Sequence, residues 1–139
     1  MQDNQPLHVY VVDDDPDHVM IIQLVLQGAE QPTTVETIGD GAAALDALQS
    51  AQVQPDLILL DINMPGLSGL DVLARIKNDA HLQRIPVVML TSSTLQADIA
   101  RAYTVGASGY IEKGQYLHDL RAVLGNTLLY WSAMKRPAA

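Results

Sequence analysis

The sequence has no cysteine and few basic residues, and these two shortages exclude several classes of protein. Without cysteine the chain can form no disulfide and has no thiol chemistry, which suits a reducing cytosol. Only 8 Lys and Arg stand against 16 Asp and Glu, so the formal net charge is -8. Nucleic acids and anionic membrane surfaces require a basic face. We therefore expect neither of them as a partner.

Long apolar stretches are also missing. The apolar runs are only a few residues long, far short of a membrane span. The segment Met1–Pro6 has neither the basic start nor the apolar core of a signal peptide. Metal-ligand spacing is absent among the histidines, which are His8, His18, His81 and His118. We interpret the histidines as incidental and expect a cytoplasmic protein.

A chain of 139 residues with 48% hydrophobic residues is long enough for one domain with a buried core. Apolar runs alternate with helix-like segments. Strands are predicted at Leu7–Val12, Thr33–Ile38, Asp56–Asp61, Pro86–Thr91 and Tyr110–Glu112. Helices are predicted at Pro16–Gln27, Ala42–Ser50, Ser68–Asn78, Leu95–Val105 and Tyr116–Leu129. This alternation predicts an α/β fold: a doubly wound, five-stranded parallel sheet in the flavodoxin-like order 2-1-3-4-5.

Local signals support some of these boundaries. Asp15 is a suitable N-cap, and Pro16 suits the first position of the first helix. The run Ser92–Thr94 supplies candidate caps for the fourth helix. The second predicted strand is the most polar, which places it nearer an edge of the sheet.

Asp61 is the residue around which the site is predicted. It ends a continuous apolar strand and faces a loop, which is where open α/β sheets build their sites. In the predicted strand order, Asp13 and Asp14 at the end of the first strand converge on Asp61. Three carboxylates brought together require a cation, and oxygen ligands select a hard ion such as Mg²⁺ or Mn²⁺. The backbone carbonyl of Asn63 is placed to join the same ion.

Complementary groups end the two remaining strands. Thr91 ends the fourth strand with a hydroxyl, and Lys113 follows the fifth with an ammonium on a long stem. Either residue alone is ordinary. Together with the carboxylates they form a set that could bind a metal, hold a phosphoryl group and neutralise its charge.

Four motifs occur in order along the chain. They are VVDDDP at 11–16, DLILLDINMP at 56–65, VVMLTS at 87–92 and GASGYIEK at 106–113. With this spacing the sequence resembles the response-regulator receiver domain of two-component signalling systems. The resemblance covers residues 7–125, after a tail of residues 1–6 and before the end of the fifth helix and a C-terminal arm at 126–139. No output domain is expected after it, so a stand-alone regulator is implied.

The resemblance implies a role for each matching residue. Asp61 would accept a phosphoryl group from a sensor histidine kinase, and Asp13 and Asp14 would hold Mg²⁺. Thr91 would be the switch hydroxyl. Lys113 would pair with the phosphate. Such a protein promotes only its own phosphorylation and dephosphorylation, so it is not expected to be an enzyme acting on other substrates.

A switch aromatic is also implied at Tyr110. Most receivers have proline after the lysine, whereas this sequence has Gly114, so the loop before the fifth helix should be looser. Asn63 and Ser93 occupy the positions that tune phosphoryl lifetime in this family.

The end of the chain carries an apolar, aromatic cluster. Its members are Leu128, Leu129, Tyr130 and Trp131. These side chains could fold back onto the domain, or they could form a homodimer contact, since Tyr and Trp are favoured interface anchors. Together with the missing proline, the aromatic tail resembles regulators that partner bacterial phytochrome kinases, which often dimerise through the fifth helix and a C-terminal arm.

Three other functions fit single features. The segment from Gly39 to Ala44 matches G-x-G-x-x-A, a dinucleotide-binding pattern that is weak on its own. A phosphatase of the haloacid dehalogenase type would need a second Asp two residues after Asp61, where Asn63 stands. A receiver that no longer takes phosphate could act as a binding module, although the complete set of site residues argues against it.

Overall fold

Five parallel strands alternate with five helices in the structure, a computed structural model that describes residues 6–114 and 117–134, with the backbone alone for residues 117–119. The strands are β1 Leu7–Val12, β2 Thr33–Ile38, β3 Leu57–Leu60, β4 Val87–Thr91 and β5 Gly109–Glu112. The helices are α1 Pro16–Gln27, α2 Gly41–Ser50, α3 Gly69–Lys77, α4 Gln96–Val105 and α5 Leu117–Ala133. Every predicted strand and helix is confirmed, with shifts of a few residues at the ends.

The strands form a single sheet in the order β2-β1-β3-β4-β5, as predicted. The polar strand β2 lies at an edge, which confirms the prediction from its composition. The register aligns Val12 of β1 with Leu60 of β3, so the residues that follow them, Asp13 and Asp61, leave the sheet side by side. Likewise Thr91 of β4 pairs with Glu112 of β5, the residue before Lys113.

Two hydrophobic layers cover the two faces of the sheet. On one face, alternate strand residues such as Tyr10, Ile58 and Leu60 pack in a cluster with side chains of α2 and α3. On the other face, the intervening residues such as Val11 and Leu59 pack with α1 and α5. Burial on both faces holds the strands rigidly in place, because displacing a strand would expose apolar side chains to water.

Side-chain caps begin three of the four helices whose N-termini the structure describes. Asp15 caps α1 by accepting hydrogen bonds from the N–H groups of Asp17 and His18, and Pro16 occupies its first turn as predicted. Asp40 caps α2 and Ser68 caps α3 in the same manner. Each cap pairs a backbone donor that the helix itself cannot satisfy.

The predicted serine cap of α4 is wrong. The residue at the N-cap of α4 is Leu95, and it makes no side-chain cap bond. Ser93 lies two residues earlier, and its hydroxyl donates to Asp98 Oδ2 at 2.6 Å. The serine therefore ties the β4–α4 loop to the first turn of α4 instead of occupying the cap itself.

Helix α5 continues to Ala133, one turn beyond its predicted end near Leu129. Its predicted first residue, Tyr116, lies outside the described residues. Among the helices that the structure describes, none combines the length and the apolar character needed to cross a bilayer.

Candidate functional site

The predicted site residues meet at the carboxyl edge of the sheet. Asp13, Asp14 and Asp61 each present a carboxylate oxygen, and these three oxygens lie within 4.8 Å of one another. Asp13 and Asp61 are 2% and 7% exposed, whereas Asp14 is exposed. The edge of the sheet thus concentrates negative charge on two buried carboxylates and one that water can reach.

Backbone N–H groups fix one oxygen of each buried carboxylate. The Asp15 N–H donates to Asp13 Oδ1 at 2.9 Å, and the Ile62 N–H donates to Asp61 Oδ1 at 2.8 Å. The second oxygen of each side chain, Oδ2, is the one nearer to Lys113. This chemistry fits a hard divalent cation, since three carboxylates provide oxygen ligands that Mg²⁺ and Mn²⁺ prefer.

The ammonium of Lys113 lies between the two buried carboxylates. Its Nζ atom is 2.6 Å from Asp13 Oδ2 and 3.6 Å from Asp61 Oδ2. Only 9% of the Lys113 side chain is exposed, so water screens the charge weakly. The positive charge of Lys113 therefore faces the strand-end carboxylates from the end of β5, as the sequence predicts.

His18 also belongs to the site, and sequence reasoning missed it. Its Nδ1 atom lies 2.8 Å from Lys113 Nζ. The interpretation of all four histidines as incidental is therefore wrong for His18. The lack of metal-ligand spacing was the wrong criterion, because His18 contacts a lysine 95 residues away in sequence. Its position in the first turn of α1, directly after the acidic run, was the available signal.

Asp15 holds the start of α1 next to this histidine. Desolvation alone would raise the pKa of Asp15, but the backbone N–H groups of His18 and Asp17 outweigh it. The positive charge of Lys113 acts in the same direction, so the pKa of Asp15 lies below its usual value. Asp15 therefore remains an anion and keeps its cap at the pH where the site would work.

Thr91 and Tyr110 are connected through the β4–α4 loop. Thr91 is fully buried, and its Oγ1 accepts a hydrogen bond from the Ser93 N–H at 3.3 Å. The Tyr110 hydroxyl donates to the Ser93 carbonyl oxygen at 2.9 Å. Burial raises the pKa of the Tyr110 phenol and outweighs the opposite effect of the Ser93 side chain. The phenol therefore keeps its proton and its bond to the loop.

Asn63 lies exposed in the loop after β3. The neighbouring Met64 N–H donates to the Ile62 carbonyl at 3.1 Å, which turns the chain at this point. The participation of the Asn63 carbonyl in a metal site stays a prediction.

The C-terminal apolar cluster divides between the core and the surface. Leu128 is 1% exposed and belongs to the hydrophobic layer between the sheet and helices α1 and α5. Trp131 is partly buried and packs against the same layer. Leu129 and Tyr130 are 50% and 56% exposed. All four belong to α5. Two of the four predicted contact residues therefore stabilise the domain itself, and two are left on its surface.

The glycine pattern near α2 has a packing explanation. A Cβ atom at Gly41 would lie 2.6 Å from Val72 Cγ2, so glycine lets α2 approach α3. Asp40, inside the same pattern, caps α2 by accepting from the Ala43 N–H at 2.7 Å. These contacts account for the pattern without a bound dinucleotide.

Comparison with known proteins gives a consistent result. The model of the response regulator receiver domain matches residues 9–125. The chain is 33% identical over 144 residues to the response regulator Rcp1 of Synechocystis, covering 99% of this chain and 98% of that protein. It is 31% identical over 140 residues to the probable methanogenesis regulatory protein FilR2 of Methanothrix harundinacea, covering 98% and 90% of the two chains.

Solved structures show the same likeness. The crystal structure of the phosphorylated cyanobacterial phytochrome response regulator RcpA superposes with a TM-score of 0.89 at 33% identity, covering 96% of this chain and 100% of that one. The Mn²⁺-bound form of Rcp1 superposes with a TM-score of 0.86 at 32% identity, with the same coverage.

Proposed function

Because the chain belongs to the response regulator receiver family, we propose that Asp61 accepts a phosphoryl group from a sensor histidine kinase in a Mg²⁺-dependent reaction. One observation carries the proposal. The carboxylates of Asp13, Asp14 and Asp61 share a site in which the ammonium of Lys113 lies 3.6 Å from Asp61 Oδ2. This arrangement supplies a nucleophile, ligands for a hard cation and a positive charge for the incoming phosphoryl oxygens.

The two carboxylate oxygens of Asp61 have different roles in the proposed phosphoryl transfer. Oδ1 is held by the Ile62 N–H, so Oδ2 is the free nucleophile. A bond forms between Oδ2 and phosphorus while the bond from phosphorus to the kinase histidine nitrogen breaks. The phosphohistidine ring carries a proton on its other nitrogen, so it leaves as neutral imidazole and Asp61 becomes an acyl phosphate. Lys113 offsets the charge that develops on the phosphoryl oxygens.

The divalent cation would be held by the same carboxylates. Asp13, Asp14 and Asp61 would provide side-chain oxygens, and Asn63 would add its backbone carbonyl. A bound Mg²⁺ or Mn²⁺ neutralises phosphoryl oxygens as a Lewis acid. The protein's own contribution is to keep the carboxylates together at the end of a rigid sheet.

The proposed output is a change of the surface formed by α4, β5 and α5. The new phosphoryl oxygens would offer the Thr91 hydroxyl a strong acceptor. Any shift of Thr91 changes the loop through Ser93, to which Tyr110 is bonded. Phosphorylation would then shift the population of two pre-existing states of this surface.

The proposed partner is a phytochrome-type histidine kinase. Support comes from the similarity to RcpA, a phytochrome response regulator, over almost the full length of both chains. The chain would act only on its own Asp61 and not turn over foreign substrates. A chain without cysteine suits a cytoplasmic location for this exchange.

The test is the intact mass of the protein after incubation with acetyl phosphate. We expect a gain of one phosphoryl group, about 80 Da, in the presence of Mg²⁺ and no gain in EDTA. Repeating the incubation with a phosphorylated histidine kinase checks the natural donor. No gain from either donor would favour a receiver-fold binding module that does not take phosphate.

We also propose that the chain forms a homodimer through α5. Exposed apolar side chains remain on this helix at Val123, Leu129 and Tyr130, and exposed Met134 directly follows its end. Tyr is a favoured anchor at protein interfaces. We expect Tyr130→Glu to shift the sedimentation coefficient towards that of the monomer, because it introduces a charge into the contact.

Val53→Glu is the matched control for the dimer, since Val53 is 74% exposed but lies outside α5. It should leave the sedimentation profile unchanged. A wild-type protein that sediments as a monomer at every concentration would contradict the proposed dimer.

A further inference from the structure

The Lys113 ammonium has three close neighbours, and two of them set its orientation. Asp13 Oδ2 at 2.6 Å and His18 Nδ1 at 2.8 Å are both within hydrogen-bond distance of Nζ. Asp61 Oδ2, at 3.6 Å, lies just beyond it. An ammonium has three N–H donors in a tetrahedral arrangement, so two bonds fix the direction of the third.

These distances also determine which tautomer of His18 the contact requires. A lysine ammonium can donate hydrogen bonds but cannot accept them. His18 Nδ1 must therefore carry the lone pair, and the ring proton must reside on Nε2. The Nε2 atom lies 3.6 Å from Asp15 Oδ2, the carboxylate that would favour a proton at this position.

We propose that His18 is a positioning residue for Lys113, holding the ammonium so that its third N–H points towards the phosphoryl site at Asp61. The proposal rests on the proposed phosphorylation of Asp61. The proposal adds His18 to the site, beside the carboxylates, the Thr91 hydroxyl and Lys113. His18 itself touches neither the acceptor oxygen nor the proposed metal ligands in any contact described above.

The backbone is fixed at both residues of this contact, whereas the side chain of Lys113 is not. Asp15 caps the N–H groups of Asp17 and His18, which fixes the first turn of α1. The Lys113 N–H donates to the Thr91 carbonyl at 2.9 Å, which fixes the end of β5. The lysine side chain retains several rotatable bonds. A second acceptor besides Asp13 therefore reduces the orientations open to the ammonium, and such orientation lowers the barrier of a group transfer.

The experiment compares His18→Asn with His18→Leu. These two replacements have nearly the same size, but only asparagine places an acceptor oxygen near the position of Nδ1. Three properties are measured in each variant: the Lys113 side-chain ammonium signal in ¹H–¹⁵N NMR spectra of the metal-free protein, the Mg²⁺ affinity, and the rate constant of phosphorylation at saturating Mg²⁺ and acetyl phosphate.

In the wild type we expect an observable, slowly exchanging Lys113 ammonium signal, because two strong acceptors hold the group. His18→Leu should lose or broaden this signal and lower the phosphorylation rate constant by about tenfold. His18→Asn should keep the signal and remain within about threefold of the wild-type rate constant. Mg²⁺ affinity should be the same in all three proteins.

Three results would overturn the proposal. The first is a wild-type signal and rate in His18→Leu. The second is an equal loss in His18→Asn, which would assign the effect to packing of the ring. The third is a parallel loss of Mg²⁺ affinity, which would assign it to the metal. If the wild type accepts no phosphoryl group, the proposed function fails, and the ammonium signal still decides whether His18 positions Lys113.

Discussion

The Asp61→Asn variant is expected to gain no phosphoryl group from acetyl phosphate under conditions that modify the wild type. Asparagine has almost the same shape, and its carbonyl oxygen can still accept the Ile62 N–H that now binds Asp61 Oδ1. Its amide nitrogen is not a nucleophile, so the acyl phosphate cannot form. We expect the modification rate to fall by at least about 100-fold, as is usual when a nucleophile is removed.

Intact mass and a chemical test together assign the acceptor. Hydroxylamine should discharge the phosphoryl group from the wild type, because it attacks acyl phosphates and not phosphate esters of serine or threonine. The matched control is Asp46→Asn, which neutralises an exposed carboxylate on α2 and should leave the mass gain unchanged. Phosphorylation of Asp61→Asn at the wild-type rate would place the acceptor elsewhere.

The Gly69→Ala variant is expected to be strongly destabilised. Gly69 opens α3, and its N–H donates to the Ile62 carbonyl at 2.8 Å. A Cβ atom here would lie 1.9 Å from the backbone oxygen of Asp61 and 2.9 Å from Ile62 Cα. Both neighbours are backbone atoms of buried residues, so no side chain can rotate away. We expect the free energy of unfolding to fall by about 3 kcal/mol, which corresponds to a lower Tm by about 10 °C.

The same clash should impair the chemistry in the molecules that still fold. Relief of the contact must move either α3 or the segment that carries Asp61, and the carboxylate would leave its position beside Lys113. Gly39→Ala is the matched control, because a Cβ atom there meets nothing within 4 Å. Its stability should stay within about 0.5 kcal/mol of the wild type. A Gly69→Ala protein with wild-type Tm and wild-type phosphorylation rate would refute the prediction.

The sheet and most of the carboxylate site could be predicted because their signals are local. The apolar run of β3 ends at Asp61, and a parallel sheet brings the carboxyl ends of its strands to one edge. The polarity of β2 identified an edge strand in the same way. Periodicity and strand order alone therefore brought Asp13 close to Asp61.

Features that depend on side-chain direction or on distant contacts could not be predicted. The bond between Lys113 and His18 joins α1 to the end of β5, and no sequence pattern relates the two residues. The serine cap of α4 failed because Ser93 bonds Asp98 instead. Helix α5 is longer than predicted, because the residues from Leu129 to Ala133 include no glycine or proline that would end it.

Gly114 has a consequence for how this sequence could change over evolutionary time. Its φ angle is +71°, in the left-handed region that glycine enters readily. The ring of proline holds φ near about −65°, so proline cannot replace glycine here without a new backbone path. A change of backbone conformation at Gly114 would also affect the preceding residue, Lys113, whose ammonium belongs to the site. A lineage could therefore not exchange this glycine for proline by one tolerated substitution. Compensating changes around Lys113 would have to come first.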